Sequence, residues 1–412
     1  MKSYTPPADK SITIRVLLLA ALARGSARIE NSLICEDTEA ALACLAALGV
    51  RTVREANAVL VTGKGPEGLR QPAGPLDAGE SGALARMLAG ILAGRPFPSE
   101  ITGRGSLMKR PMRPLADALS GLGAKVGSNG GLLPLSIKPA ALRGARISGV
   151  ESAQVKSALL LAALQAAGPS EIREIFQTRD HTERLLALMG ADIRMAPRRT
   201  NLVPGQLTSR PVTVPGDISS AAPFIAAALL SGQPLTVNAC GLNPARLGFV
   251  RALRKMGAKI SLKVCGTFPE PEGSLEVLPS ELKGVRIAPA EVPALIDEVP
   301  LLAVMAARAK GKTVISGIEG LRSKESDRIA GTLALLAALG VKVSYAKGSL
   351  TVTGQAKLKA AGPVETYNDH RIAMAAAAAS AACPGLKIQN PGCVNKSYPG
   401  FWRDFKKLFK AL

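Results

Sequence analysis

Cations and hydroxyls gather at the starts of apolar runs in this chain. Lys10, Ser11 and Arg15 lie in PADKSITIRV, which leads straight into LLLAALA. ESGALAR (Glu80 to Arg86), ESAQVKS (Glu151 to Ser157), DISSAA from Asp217, LIDEVP from Leu295 and YNDHRIAM (Tyr367 to Met374) introduce five further runs. Three more polar clusters, MKRPM (Met108 to Met112), TRDHTER (Thr178 to Arg184) and SKESDR (Ser323 to Arg328), introduce amphipathic segments. The chemistry these types share is anion binding. Arg grips carboxylate or phosphate with two parallel hydrogen bonds. A helix start adds unpaired N–H groups and partial positive charge. Singly, each has a plainer explanation: Lys-Ser as a cap, K-E-x-x-R as a solvated helix face, His370 as a buried and satisfied side chain. Their recurrence at equivalent positions favours a ligand.

Those positions are equivalent because the chain repeats a pattern. An apolar helical run, a glycine and a short β-branched run occur six times, marked by Gly25, Gly94, Gly168, Gly232, Gly311 and Gly385. Between them an amphipathic helix closes on Leu-Gly or Met-Gly before a strand, with Gly49, Gly123, Gly190, Gly257 and Gly340 expected as left-handed helix ends. The sixth amphipathic helix is FWRDFKKLFKAL, from Phe401. Each unit reads strand–helix–strand–helix–strand and cannot bury both helices alone. The all-apolar helix should be central and the amphipathic one outside. Six units suggest two pseudo-threefold domains of three units each, with junctions near Pro7 to Asp9 and in PVTVPGD, ending at Asp217. The expected domains are 8–214, and 1–7 together with 215–412.

Composition narrows the partners. Lys and Arg number 52 against 31 Asp and Glu, a net charge of +21, which attracts any polyanion. A single Trp and scattered cations argue against nucleic acid, which is usually met by aromatic platforms or a basic stripe. The six cysteines show no C-x-x-C spacing and there are two histidines, so neither a zinc site nor a disulfide framework is expected, and reduced thiols in a cytoplasm are. VLLLAALA follows an acidic residue and two prolines and reappears later, unlike a signal peptide. AMAAAAASAAC is too short to cross a bilayer, so no membrane association is expected.

DKSITIR (Asp9 to Arg15), SAQVKSALLLAAL (Ser152 to Leu164), TRDHTE (Thr178 to Glu183), LRSKESDR (Leu321 to Arg328), NDHRIAMA (Asn368 to Ala375) and CVNKSYPGF (Cys393 to Phe401) follow in order along nearly the whole chain. In this set the chain resembles the enolpyruvyl transferases, and among them the 5-enolpyruvylshikimate 3-phosphate synthases. The resemblance implies the α/β fold of two domains, each of three repeated units (the inverse α/β barrel), closing over a cleft. It implies enolpyruvyl transfer from phosphoenolpyruvate to shikimate 3-phosphate with release of phosphate, with no metal or organic cofactor, in a monomer. Carried over by motif, shikimate 3-phosphate is held by Lys10, Ser11, Arg15, Ser152, Ala153, Gln154, Arg179, Asp297 and Lys324. Phosphoenolpyruvate is held by Lys10, Gly82, Arg110, Gln154, Arg328, Arg371 and Lys396. Asp297 is the expected general base at the 5-hydroxyl, and Glu325 with Lys396 the proton carrier at the enolpyruvyl carbon.

Departures bear on ligand affinity. The family's N-A-G-T-x-x-R is here Glu80-Ser81-Gly82-Ala83-Leu84-Ala85-Arg86, which brings a carboxylate beside an anion site, unfavourable unless Arg86 or Arg110 pairs with it. In the family that the chain resembles, glyphosate sensitivity depends partly on the residue matching Gly82, where Gly is permissive, so moderate sensitivity is expected. Ala8 and Ile14 replace a common Gly and a polar residue, and the opening strand is shortened to MKSYTPP. The sister enzyme acting on UDP-N-acetylglucosamine generally carries a Cys in the loop that reads ITGRGSLMKRP here, and this loop has none. A non-catalytic homologue binding polyanions would have no use for Asp297 and Glu325.

Overall fold

In the computed structural model, described here for residues 1–409, the chain divides into two compact units, Ala8–Val214 and Met1–Pro7 with Pro215–Leu412. Each unit is described separately. Residues 410–412, the end of the expected terminal helix, lie outside the described residues.

Ala8–Val214 alternates two kinds of helix: α1 (Lys10–Leu22), α2 (Glu36–Ala47), α3 (Gly82–Leu92), α4 (Arg113–Ser120), α5 (Ala153–Ala163) and α6 (His181–Leu188). The odd-numbered helices are apolar and buried almost throughout; every residue of α1 from Ile12 to Leu22 is buried. They contribute much of a core without a single buried aromatic, in which Leu, Ile, Val and Ala pack closely. The even-numbered helices bury one face, in α4 only Leu115 and Leu119. Gly49, Gly123 and Gly190 end them at φ of +82°, +86° and +87°, where a Cβ would be strained.

Three sheets share one four-strand pattern in this unit, and the first adds a fifth strand, Val212–Thr213, parallel to Ala23–Glu30. A short strand runs parallel to the strand that follows the central helix, and this second strand pairs antiparallel with a return strand. In the first sheet, Leu207–Thr208 lies beside Ala23–Glu30, followed by Ala58–Lys64 and Arg51–Arg54. The return strand is an addition to the expected unit. It alternates buried and open residues and completes the sheet from inside, whereas the strand after the amphipathic helix lies exposed on the edge. Gly25 does not terminate α1. The helix passes directly into a strand at Ala23, and Gly25 sits within that strand.

The other unit repeats the scheme with α7 (Ile218–Ser231), α8 (Gly248–Lys255), α9 (Val299–Ala307), α10 (Arg328–Ala338), α11 (His370–Ser380) and α12 (Phe401–Phe409). Gly257 and Gly340 again close the amphipathic helices at positive φ. The abbreviated opening segment still forms a strand, Lys2–Tyr4, on the edge of Leu235–Gly241. In the sixth repeat the strand shrinks to a single bridge, Val364 to Ile388. Aromatic packing covers that end instead: Phe224 of α7 stacks on Tyr4 at 4.0 Å and meets Phe401 and Phe405 edge-on at 5.6 Å.

All six cysteines are free thiols, and five are buried. No helix among the described residues is long and apolar enough to cross a membrane.

Candidate active site

In Ala8–Val214 most of the expected anion-binding residues sit near the starts of the three central helices, and Arg110 and Arg179 sit before the amphipathic α4 and α6. The cap of α1 is Asp9, whose Oδ1 accepts from Ile12 N at 2.9 Å; Lys10 and Ser11 are already helical. Ser81 and Ser152 cap α3 and α5 in the same way. The helix-start donors are thus partly occupied by the chain's own side chains, and the side chains of the first turn carry most of the anion-binding capacity.

These side chains are fixed mainly by neighbours on other helices. Lys10 Nζ pairs with the buried Asp37 of α2 at 2.8 Å. Arg15 is 3% exposed. Its Nε donates to Thr182 Oγ1 at 3.0 Å, Nη2 to Ser157 Oγ at 3.1 Å and Nη1 to the Ser11 carbonyl at 2.9 Å. That places Arg15 as a strut between α1, α5 and α6. Arg86 donates to Gln154 Oε1 at 2.8 Å, to the Gly82 carbonyl at 3.0 Å and to the Pro111 carbonyl at 3.0 Å, joining α3 to α5. A Cβ on Gly82 would stand 2.6 Å from Nη1 of both Arg86 and Arg110, so glycine lets two guanidinium groups close on the backbone. Arg110 itself is buried, just before α4. Arg179 is half-buried between β-strand Ser170–Glu174 and α6, and Ala153 is the first residue of α5. Glu80, the family departure, accepts from Ser106 N at 3.1 Å and Ser106 Oγ at 2.6 Å.

The other unit gathers Asp297, Lys324 and Glu325 around one side chain, Arg328. Arg328, first residue of α10 and 1% exposed, meets three carboxylates. Its Nε donates to Asp369 Oδ2 at 2.8 Å and its Nη1 to Asp297 Oδ1 at 3.3 Å, while its Nη2 contacts Glu325 and lies 3.3 Å from Asp369 Oδ1. Lys324 Nζ approaches Asp297 to 3.9 Å. Burial opposes the charge on Arg328, but Asp369, Glu325 and Asp297 outweigh it and hold its pKa above the ordinary arginine value. Asp369 also caps α11, accepting from Arg371 N at 2.8 Å.

Arg371 Nη1 donates to the Ser219 carbonyl at 3.2 Å and lies 3.7 Å from Glu298 Oε1. Ser219 Oγ donates to Glu298 and accepts from Arg246 Nη2 at 2.6 Å, and the same nitrogen donates to the α7 cap Asp217 at 2.9 Å. Lys396 is 7% exposed at the end of the 3-10 turn Pro391–Lys396, which packs on α11.

The structure brings Asp297, Lys324, Glu325 and Arg328 together, and Gly82 together with Arg110. The supporting partners Asp37, Arg86, Thr182, Glu298 and Asp369 were not singled out in the sequence as site residues. Asp369 had a local signal, since it stands where a cap belongs before HRIAM. Asp37 and Glu298 had none, because their partners Lys10, Ser219 and Arg371 are distant in sequence.

Comparison with known proteins agrees with this architecture. The EPSP synthase (3-phosphoshikimate 1-carboxyvinyltransferase) family model matches residues 2–405. A 3-phosphoshikimate 1-carboxyvinyltransferase of Limosilactobacillus fermentum is 42% identical over 98% of this chain and 95% of its own length. One of Pelotomaculum thermopropionicum is 44% identical over 96% of this chain and 93% of its own. The structure of EPSP synthase from Acinetobacter baumannii superposes with a TM-score of 0.86 at 34% identity, covering 99% of this chain and 95% of that one. With one family model spanning nearly every residue and both carboxylates held on a single arginine, the chain belongs to the EPSP synthase (3-phosphoshikimate 1-carboxyvinyltransferase) family.

Proposed function

We propose that this chain transfers the enolpyruvyl group of phosphoenolpyruvate to the 5-hydroxyl of shikimate 3-phosphate and releases inorganic phosphate. The observation that carries the reading is the Arg328 cluster. Two carboxylates suited to proton transfer, Asp297 and Glu325, are fixed on the two terminal nitrogens of one buried guanidinium. Groups held in this way spend little entropy finding reactive geometry.

In the first step the 5-hydroxyl oxygen bonds to C2 of phosphoenolpyruvate, and its proton passes to Asp297. The C2–C3 double bond opens, and C3 takes a proton from Glu325, assisted by Lys396. The product is a tetrahedral ketal phosphate. In the second step the C2–O bond to phosphate breaks and the leaving phosphate takes up the proton held by Asp297, while the methyl group returns a proton to Glu325 and the enol ether forms. Proton transfers of this kind contribute roughly 10²–10⁴-fold each.

Both substrates are anions, so fixed cations must offset their repulsion. Lys10, Ser11, Arg15, Ser152, Ala153, Gln154, Arg179, Asp297 and Lys324 serve shikimate 3-phosphate. Arg15, three of whose N–H donors are engaged inside the fold, also sets the first turn of α1 against α5 and α6. Lys10, Gly82, Arg110, Gln154, Arg328, Arg371 and Lys396 serve phosphoenolpyruvate. Ala8–Val214 is the shikimate 3-phosphate domain, and the other unit carries the carboxylates and most phosphoenolpyruvate cations. The chain works as a cytoplasmic monomer on these small substrates, without nucleic acid, a reading supported by the single Trp and the scattered cations. The test is phosphate release, which should require both substrates and fall about 10²-fold or more in Asp297→Ala. Turnover by that variant at the wild-type rate removes Asp297 as the base.

A further inference from the structure

One buried ionic cluster takes no part in the proposed chemistry. Lys156 points from α5 into the interior with no exposed side-chain surface, and meets Glu174 Oε2 at 3.1 Å and Glu183 Oε1 at 2.7 Å. Both carboxylates are about as deeply buried, each 2% exposed. One cation faces two acids in a place where apolar residues would fold at least as stably, so the cluster costs stability unless its geometry serves something.

Its geometry ties a loop to a helix. Glu174 ends the strand Ser170–Glu174 and Glu183 lies in the first turn of α6, so the two acids bracket the loop that carries Arg179. The loop residue Thr178 donates from its backbone N to Glu174 Oε1 at 3.0 Å, and its hydroxyl makes a second contact to the same oxygen. On the far side of Arg179, Asp180 accepts from Arg184 Nε at 2.9 Å. Thr182 Oγ1 lies 2.7 Å from Ser157 Oγ, one residue after Lys156, and also receives Arg15. The backbone of Arg179 is therefore pinned on both sides, and the pins lead back to α5, whose first turn holds Ser152, Ala153 and Gln154.

We propose that Lys156, Glu174, Glu183 and Thr178 are positioning residues for shikimate 3-phosphate, locking the Arg179 loop to the Ser152–Gln154 turn so that both meet one substrate in fixed register. The inference rests on the function proposed above. It makes a selective demand: Arg179 serves shikimate 3-phosphate alone while Gln154 serves both substrates, so loosening the lock weakens shikimate 3-phosphate much more than phosphoenolpyruvate. A cluster that only held the fold together would move both constants or neither.

The experiment compares Thr178→Val, Thr178→Ser, Lys156→Met and the charge-free triple Lys156→Met/Glu174→Gln/Glu183→Gln. Steady-state phosphate release gives both KM values, calorimetry measures shikimate 3-phosphate binding alone, and thermal unfolding reports the fold. Thr178→Val should raise the KM for shikimate 3-phosphate about fivefold or more with that for phosphoenolpyruvate within about twofold, and Thr178→Ser should restore it. Lys156→Met and the triple variant, where folded, should lose about tenfold or more in shikimate 3-phosphate affinity. If the Lys156 variants do not fold, the Thr178 pair decides. Wild-type shikimate 3-phosphate constants in Thr178→Val overturn the proposal, as does an equal loss for both substrates. Wild-type protein that neither binds shikimate 3-phosphate nor releases phosphate overturns the function itself, and this inference with it.

Discussion

Asp369 performs two tasks that substitution can separate. It caps α11 through Arg371 N and grips Arg328 with both carboxylate oxygens, at 2.8 and 3.3 Å, with no exposed side-chain surface. Breaking a buried pair by removing one partner costs about 3–5 kcal/mol. Arg328 keeps Glu325 and Asp297, so the lower end applies, ~3 kcal/mol for Asp369→Ala, with the lost cap adding ~1 kcal/mol. Asp369→Asn keeps the cap and an uncharged acceptor, and should cost ~1.5 kcal/mol. At ~2–4 °C per kcal/mol for a unit of this size, calorimetry should show losses of ~8–16 °C for Ala and ~3–6 °C for Asn. Arg328 would turn toward its two remaining carboxylates, Asp297 and Glu325, and away from phosphoenolpyruvate. The KM for that substrate should therefore rise more than the KM for shikimate 3-phosphate in both variants. An Asn variant with wild-type Tm and wild-type phosphoenolpyruvate KM would refute the view that the charge of Asp369 orients Arg328.

Three further outcomes follow from the same geometry. Gly82→Ala places a Cβ 2.6 Å from Arg86 and Arg110, and should raise the phosphoenolpyruvate KM by about tenfold in steady-state assays with little change in Tm. With Gly82 intact, glyphosate should inhibit moderately, and an inhibition curve flat into the millimolar range contradicts this. Lys156→Met should show an altered pH response in thermal unfolding. Burial raises the Glu183 carboxyl above 4.5 and Lys156 offsets part of that rise, while Lys156 is itself raised above 10.5 because its two acids outweigh its burial. A raised carboxyl adds stability that is fully present below pH 4.5 and lost as pH climbs through its folded value; the raised Lys156 contributes below pH 10.5 and loses its effect only above it. Without Lys156 the carboxyl rises further, so the variant's deficit against wild type should be large at neutral pH and narrow on acidification. A gap constant with pH counts against the cluster as described.

Much of the fold was readable from local pattern. Continuous apolar runs specified buried central helices, half-apolar runs specified the flanking ones, and Gly49, Gly123, Gly190, Gly257 and Gly340 marked helix ends. Motif resemblance proposed site residues, and the structure gathers several of them, Asp297, Lys324, Glu325 and Arg328 among them. Less was readable where the pattern weakened. The return strands were missed, although each alternates buried and open residues, because a strand of five to seven residues without a strong turn signal gives little periodicity. The sixth strand was expected from a β-branched run, but there one bridge and an aromatic cluster cover the core.

The amino-acid sequence by itself determined helix starts and stops, the apolar faces and the sixfold repetition, because capping, propensity and hydrophobic period act over a few residues. Only the tertiary structure decided which charges meet. Arg15 finds Thr182 across 167 positions, Lys10 finds Asp37 across 27, and Arg328 draws on Glu325, Asp297 and Asp369 at 3, 31 and 41. Apart from Glu325, which stands three residues before Arg328, such partners leave no local trace, since they meet only when separate helix starts are packed into one core, and a buried charge there must be matched by whichever neighbour the packing supplies.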